Sequence, residues 1–521
     1  SGNSGSIRAL ATGGNLNFTN AAVNAGVISD TGTSATMTFG AALTNNTGGK
    51  IFAGNGTTSI SSIALNAGKI GESGTGGITV TGGTLNADTI EAGSGGTLVL
   101  NGSVKDSGAS ALIRTKSAPI NFASGVTNMN GAKIISKSGA LTFSAALANG
   151  GGTLELDSVG SAVLNADFAS AGTLTFADST TVTYAGSTTT VQPVTYGNLT
   201  LGGSSNKGAN NNFNVGGNLA LGTNLTMSPL TDALTLTSAT AAVTGKHEVD
   251  GTVKRSHTFA ANTYYAFNSD SVGFALNTTG ANTIGVTMAP DSTPTNFPNN
   301  KYVDRNYTVS GLPSGQTLTS LALIYQTSEL NGLTQAKLAG ESYNGSWAKV
   351  SNAGYTRVVD SSAYHGIRLT GIATPTNSVT QFAMAAGAIY AVHATDWATT
   401  STWDDGVVPG SGDDVIDTIA TSGGVTVNSG SQAAGTLTLG SGTQTGLLTV
   451  NAGSLAVSGG VTFVSASTLT LNGAMTAGGT VTLVPTSTLS LSSAGHLTIT
   501  TLGNDIVVNG TLINNGLIDV K

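Results

Sequence analysis

The chain has 521 residues, of which 39% are apolar, 9% are charged and 73 are glycine, and it contains no cysteine. That length exceeds an ordinary domain of about 100–200 residues, and apolar residues recurring in short alternating runs exclude a disordered chain. The missing thiols exclude a cysteine nucleophile, a zinc–thiolate site and an iron–sulfur cluster. The net charge of −7 sits wholly in residues 391–521, where eight aspartates meet one base, Lys521. With no basic patch to attract a phosphate backbone, nucleic acid is not an expected partner.

From the start of the chain, an apolar residue closing a short strand-like run falls at Phe18, Phe39, Ile60, Val80, Leu100, Phe122, Phe143 and Leu164, in steps of 20 to 22. A weaker continuation runs through Leu174-Thr175-Phe176, Val182-Thr183-Tyr184, Leu199-Thr200-Leu201 and Leu219-Ala220-Leu221. A fixed period of this kind is the mark of a solenoid. Corners such as Asn24-Ala25-Gly26 and Asn66-Ala67-Gly68 supply residues that tolerate positive φ. Residues 1–245 are therefore predicted to wind as a parallel β-helix of about 20–21 residues per coil. An antiparallel sandwich or barrel also has short strands, but does not keep such a register.

From 246 to 390 the register is lost. This stretch holds nine of the 19 Lys/Arg residues and 14 of the 25 Phe/Tyr residues, with Trp347 and half of the prolines. It is predicted to be a β-sandwich-like domain, with one short helical turn within Gln326–Gly340. Residues 391–521 open on Asp396-Trp397 and Trp403-Asp404-Asp405-Gly406, a tryptophan pair suited to plugging the open end of an apolar tube. A second, shorter β-helix follows, with columns Leu448/Leu469/Leu489, Leu455/Met475/Leu497 and Val461/Val481.

The spacing from Trp397 through Trp403, Gly406, Pro409 and Gly412-Asp413 resembles the start of β-helical repeat domains in large secreted surface proteins of the Bacteroidota. The repeats themselves resemble the rods of filamentous-haemagglutinin and autotransporter adhesins. The resemblance implies a secreted, extracellular or cell-surface rod. Ser1–Gly5 reads as a mature or cut start, and no apolar run reaches the length of a transmembrane helix.

Asp404, Asp405, Asp413, Asp414 and Asp417 form the strongest metal candidate, since calcium takes six to eight oxygens from carboxylate-rich loops. Turn and cap roles for the same aspartates are the competing reading. No other cofactor is expected. Glu155 and Asp157 share one strand face, and solvation explains them more simply than a catalytic pair. His247, His257, His365, His393 and His496 lack zinc spacing. Tyr264-Tyr265 with Trp347 would make a sugar-stacking platform, unless they pack a core. Ten Asn-x-Ser/Thr sequons are present, as a composition this rich in those residues produces.

Together these features point away from an enzyme and toward a structural subunit of an extracellular filament, sheath or surface layer. Subunits would form a homo-polymer by strand addition or end-to-end stacking of coils. The sequence stays in strand pattern to Val520, so either further sequence or another subunit covers that coil. A monomeric adhesin binding glycan or substratum through the middle domain is the alternative, and a polysaccharide-degrading enzyme the third.

Overall fold

Period-2 alternation decides the architecture, because it places every second residue of a strand in the interior. In the computed structural model the strand Ile78–Val80 buries both isoleucine and valine and turns Thr79 outward, and most coils repeat this pattern. The structure describes residues 2–10, 12–187, 190–297, 302–313, 316–333, 335, 338–343, 347–350, 354–358, 364–370, 379–386, 388–403, 408–421, 423–441, 444–464, 466–500 and 505–521. Two compact units are distinguished. The first comprises residues 1–292, 305–325 and 358–382, and the second 293–304, 326–357 and 383–521.

The first unit opens with a parallel β-solenoid. All eight anchors are successive register partners: Phe18 with Phe39, Phe39 with Ile60, Ile60 with Val80, and so on through Leu100, Phe122 and Phe143 to Leu164. The column continues through Tyr184, Leu201 and Leu221. Where aromatic anchors meet they stack, with Phe122 and Phe143 at 4.7 Å and 2°. The other two faces of the coil are typified by Val104–Ser107 and by Leu112–Thr115, the latter in a nine-stranded parallel sheet.

The corner asparagines have a different role from the one expected. Asn24, Asn45, Asn66 and Asn86 are strand residues with inward side chains, and none has a positive φ. Each donates its amide to the next: Asn24 to Asn45, Asn45 to Asn66 and Asn66 to Asn86, all at 2.8 Å. The following glycines answer a steric need. A Cβ on Gly26 would lie 2.0 Å from Gly5 O, and one on Gly68 would lie 2.3 Å from Gly49 O.

The solenoid does not stop at residue 245. Strand Val249–Phe259 pairs in parallel with Ala233–Leu236 on one edge and antiparallel with Gly280–Pro290 on the other. One strand thus belongs to both architectures. Beyond it, Gly280–Pro290 pairs antiparallel with Arg305–Ser310. A second antiparallel sheet contains Tyr265–Ser269, Val272–Leu276, Leu318–Tyr325 and His365–Thr370. Buried hydrogen bonds join the two sheets: Tyr307 Oη donates to Ile324 O, and Arg255 Nε donates to Ala266 O at 2.7 Å. The expected helical turn is a short 3-10 helix, Thr327–Leu330, in the second unit. The compact units divide the 246–390 stretch between them.

The second unit ends in another parallel solenoid. Its three expected columns are register-paired throughout: Leu448 with Leu469 and Leu489, Leu455 with Met475 and Leu497, and Val461 with Val481. Trp397 and Trp403 are buried in the same apolar core as Ile389, Val425 and Val427. Their rings meet edge to face at 4.7 Å, and Trp403 Nε1 donates to Trp397 O at 2.8 Å.

Candidate functional site

Of the five aspartates proposed as calcium ligands, Asp404 and Asp405 lie outside the described residues. Of the other three, Asp413 and Asp417 serve their own turns and Asp414 bonds to the next coil. Asp413 Oδ2 accepts from Gly410 N at 2.7 Å, Asp414 Oδ1 from Thr436 Oγ1 at 2.8 Å, and Asp417 Oδ1 from Ile419 N at 2.9 Å. Alternation along Asp414–Asp417 turns Asp417 into the core, where burial raises its carboxyl to about 7. Among the described residues no group of three or more His, Asp or Glu is placed to hold a metal.

The stacking platform is also redistributed. Tyr265 is a core residue packed edge to face on Phe259, and Tyr264 lies under the Arg368 guanidinium, 4.8 Å from its ring centre. Trp347 belongs to the other unit, where Phe297 and Tyr343 flank it at 4.9 and 5.4 Å and its indole N–H donates to Thr295 O at 2.9 Å. Glu155 and Asp157 face outward, and Asp157 pairs with Lys137 at 3.7 Å.

Within the first unit a cavity of about 290 Å³ is lined by Lys246, His247, Asp270, Tyr364, His365 and Arg368, among others. Asn224 organises one wall: its Oδ1 contacts His247 Nδ1 at 3.1 Å and accepts from Glu248 N at 3.2 Å and Tyr364 Oη at 3.3 Å. Glu248, held in this way, makes a two-pronged ion pair with Arg305 at 2.5 and 3.1 Å, and both side chains are essentially inaccessible. Burial, aided by Glu248, pushes the Tyr364 hydroxyl up to about 12, so it keeps its proton and its hydrogen bond to Asn224. Cations and hydrogen-bonding groups around a cavity of this size suit an oxygen-rich small ligand. Asp270 is the carboxylate among its described lining residues. Sequence reading missed this site because its parts come from five separate segments.

A further surface is the coil formed by Ile506–Val508, Thr511–Asn514 and Leu517–Val520. Leu489 is fully buried, while its register partner Leu512 is 37% exposed; Ile499 is fully buried, while Val520 is 49% exposed.

No family model, curated protein or solved structure matches the chain. What the fold defines is a class: a β-solenoid protein, nearly all-β, with additional antiparallel sheets in its middle region.

Proposed function

We propose that this chain is a structural subunit of an extracellular filament, sheath or surface layer, assembling by β-strand addition or end-to-end stacking of coils. The observation that supports it best is the parallel register pairing from coil to coil in both solenoids, which makes each coil a template for the next. Each added coil contributes a full set of main-chain hydrogen bonds and covers the apolar residues beneath it. The resemblance to secreted surface repeats supports placement outside the cell.

Negative-stain electron microscopy of the purified chain tests the proposal. Regular fibres or lattices are the expected result, and short discrete rods at every concentration overturn it. Loss of fibres on chelation would assign a calcium-set joint to the Asp404–Asp417 segment.

A second reading, an adhesin that grips a glycan through the middle region, draws support from the cavity beside Tyr364 and Arg368. A glycan screen against the chain and an Arg368→Ala variant tests it.

A further inference from the structure

Composition gave no hint of a basic surface, but the topology builds one. Residues 1–245 contain nine Lys/Arg residues. Lys105 lies on another face and Lys207 is buried. The remaining seven, Arg8, Lys50, Lys69, Arg114, Lys116, Lys133 and Lys137, fall on the nine-stranded sheet or on the residue that follows one of its strands.

Register arranges most of them in two rows. Lys50 pairs with Lys69, and the same column passes through Thr89 and Leu112 to Lys133. Lys50 and Lys133 are thus four coils apart, or about 19 Å at a strand spacing of about 4.8 Å. Lys116 and Lys137 form the second row, each just past the paired residues Thr115 and Ser136. Four residues of extended chain separate the rows, about 13 Å. Glu91 lies between them, almost completely buried beneath Lys69 at 3.4 Å, Lys116 at 3.0 Å and Arg114. One carboxylate shared by three cations leaves that centre positive.

We propose that this outward face binds an acidic polysaccharide lying along the axis of the first solenoid. Carboxylates of the polysaccharide would meet the two lysine rows, displacing Asp157 at Lys137, and its hydroxyls would meet Thr89, which stands between Lys69 and Lys133. The observations favour this partner over two other polyanions. Nucleic acid carries a charge every ~1.7 Å of duplex, whereas Glu91, Glu155 and Asp157 interrupt this face, which suits a more sparsely charged chain. The acidic 391–521 region of a second copy is poorly matched, because Asp396 and Asp413 are already bonded within their own turns and Asp414 accepts from Thr436 of the neighbouring coil. The inference does not depend on how coils join, since binding is read on single rods.

The test is biolayer interferometry of the full chain on immobilised polygalacturonate, with neutral dextran and poly(dT) as comparison probes. The triple variant Lys50→Gln/Lys133→Gln/Lys137→Gln leaves the Glu91 cluster intact, and circular dichroism checks its fold. The expected result is binding to polygalacturonate and not to dextran, weakening with salt, and reduced about tenfold or more in the triple variant. Lys254→Gln, off this sheet, is expected to bind as wild type. No binding at low salt, equal binding by the folded triple variant, or tighter binding of poly(dT) through the same lysines overturns the proposal.

Discussion

Asn86 donates its side-chain amide to Asp106 Oδ1 at 2.7 Å, and at that bond the ladder inside the first solenoid runs out of donors. Asp106 is paired in register with Asn128, whose own amide restarts the ladder toward Asn149 at 2.8 Å. Asp106 Oδ2 and Asn128 Oδ1 are both buried without a hydrogen-bond partner. A single proton on Asp106 supplies the donor that two facing acceptors lack.

Burial raises the Asp106 carboxyl from 3.8 to about 7, against the opposing effect of the Asn86 hydrogen bond. Glu72 is raised to about 7 and Asp30 is raised as well, with burial the leading cause in each. A raised folded-state value means that the folded chain holds protons which the unfolded chain has released. Stability is therefore fully present below the ordinary carboxylate range and is lost as pH rises toward and through about 7. The first solenoid is expected to melt at a higher temperature at pH 5 than at pH 8. Asp106→Asn is expected to raise the pH 8 melting temperature, by about 1–3 kcal/mol of stability, and to flatten the pH slope. Thermal unfolding followed by circular dichroism at both pH values decides it; an unchanged slope in the variant counts against the ladder account.

The Glu248–Arg305 pair makes a second prediction. Removing one member leaves the other charge buried, at a cost of about 3–5 kcal/mol. Glu248→Gln is expected to destabilise the first unit by that order. Glu248→Leu combined with Arg305→Met is expected to be much closer to wild type. Urea unfolding of the three chains measures the difference.

Trp403 closes the core of the second solenoid while its indole N–H holds the Trp397 carbonyl. Trp403→Ala is expected to cost about 3–5 kcal/mol. Hydrogen exchange should speed up in Val425–Val427 and Leu447–Val450 and leave residues 78–164 unchanged. Uniform acceleration along the whole chain would contradict the assignment.

Two glycines separate steric need from composition. A Cβ on Gly76 would lie 1.6 Å from Gly56 O, while one on Gly150 would meet nothing within 4 Å. Gly76→Ala is expected to force the coils apart at a cost of about 1–3 kcal/mol or more. Gly150→Ala is expected to be near neutral, within about 0.5 kcal/mol. Paired melting curves test the contrast.

Much of the fold was legible because interior residues of a solenoid repeat at a fixed chain distance. Every anchor from Phe18 to Leu164 and every column of the second solenoid is a register partner in space. What the repeat concealed was the reason for its non-apolar positions. Asn24 and Asn66 read as turn residues, since Asn-Ala-Gly suits a corner, yet their role is to donate along the interior. The period of 20 to 21 at Asn24, Asn45, Asn66, Asn86 and Asp106 was a signal that could have shown this. The Tyr364 cavity carried no comparable signal. Asn224 sits beside Glu248 through the parallel pairing of Leu225 with Val249, but Arg305 is brought in by antiparallel strands, which leave no periodic trace. The lysine rows were hidden for another reason: net charge averages over faces that the coil separates.

Strand Val249–Phe259 has a mechanical consequence. Its parallel bonds to Ala233–Leu236 and antiparallel bonds to Gly280–Pro290 are carried by one continuous backbone. The antiparallel sheet it opens cannot swing against the last coils without bending that strand. A load applied along the strand would place both ladders in shear, so that many hydrogen bonds must fail together instead of peeling one at a time. The transition between the two architectures is thus a splice and not a hinge.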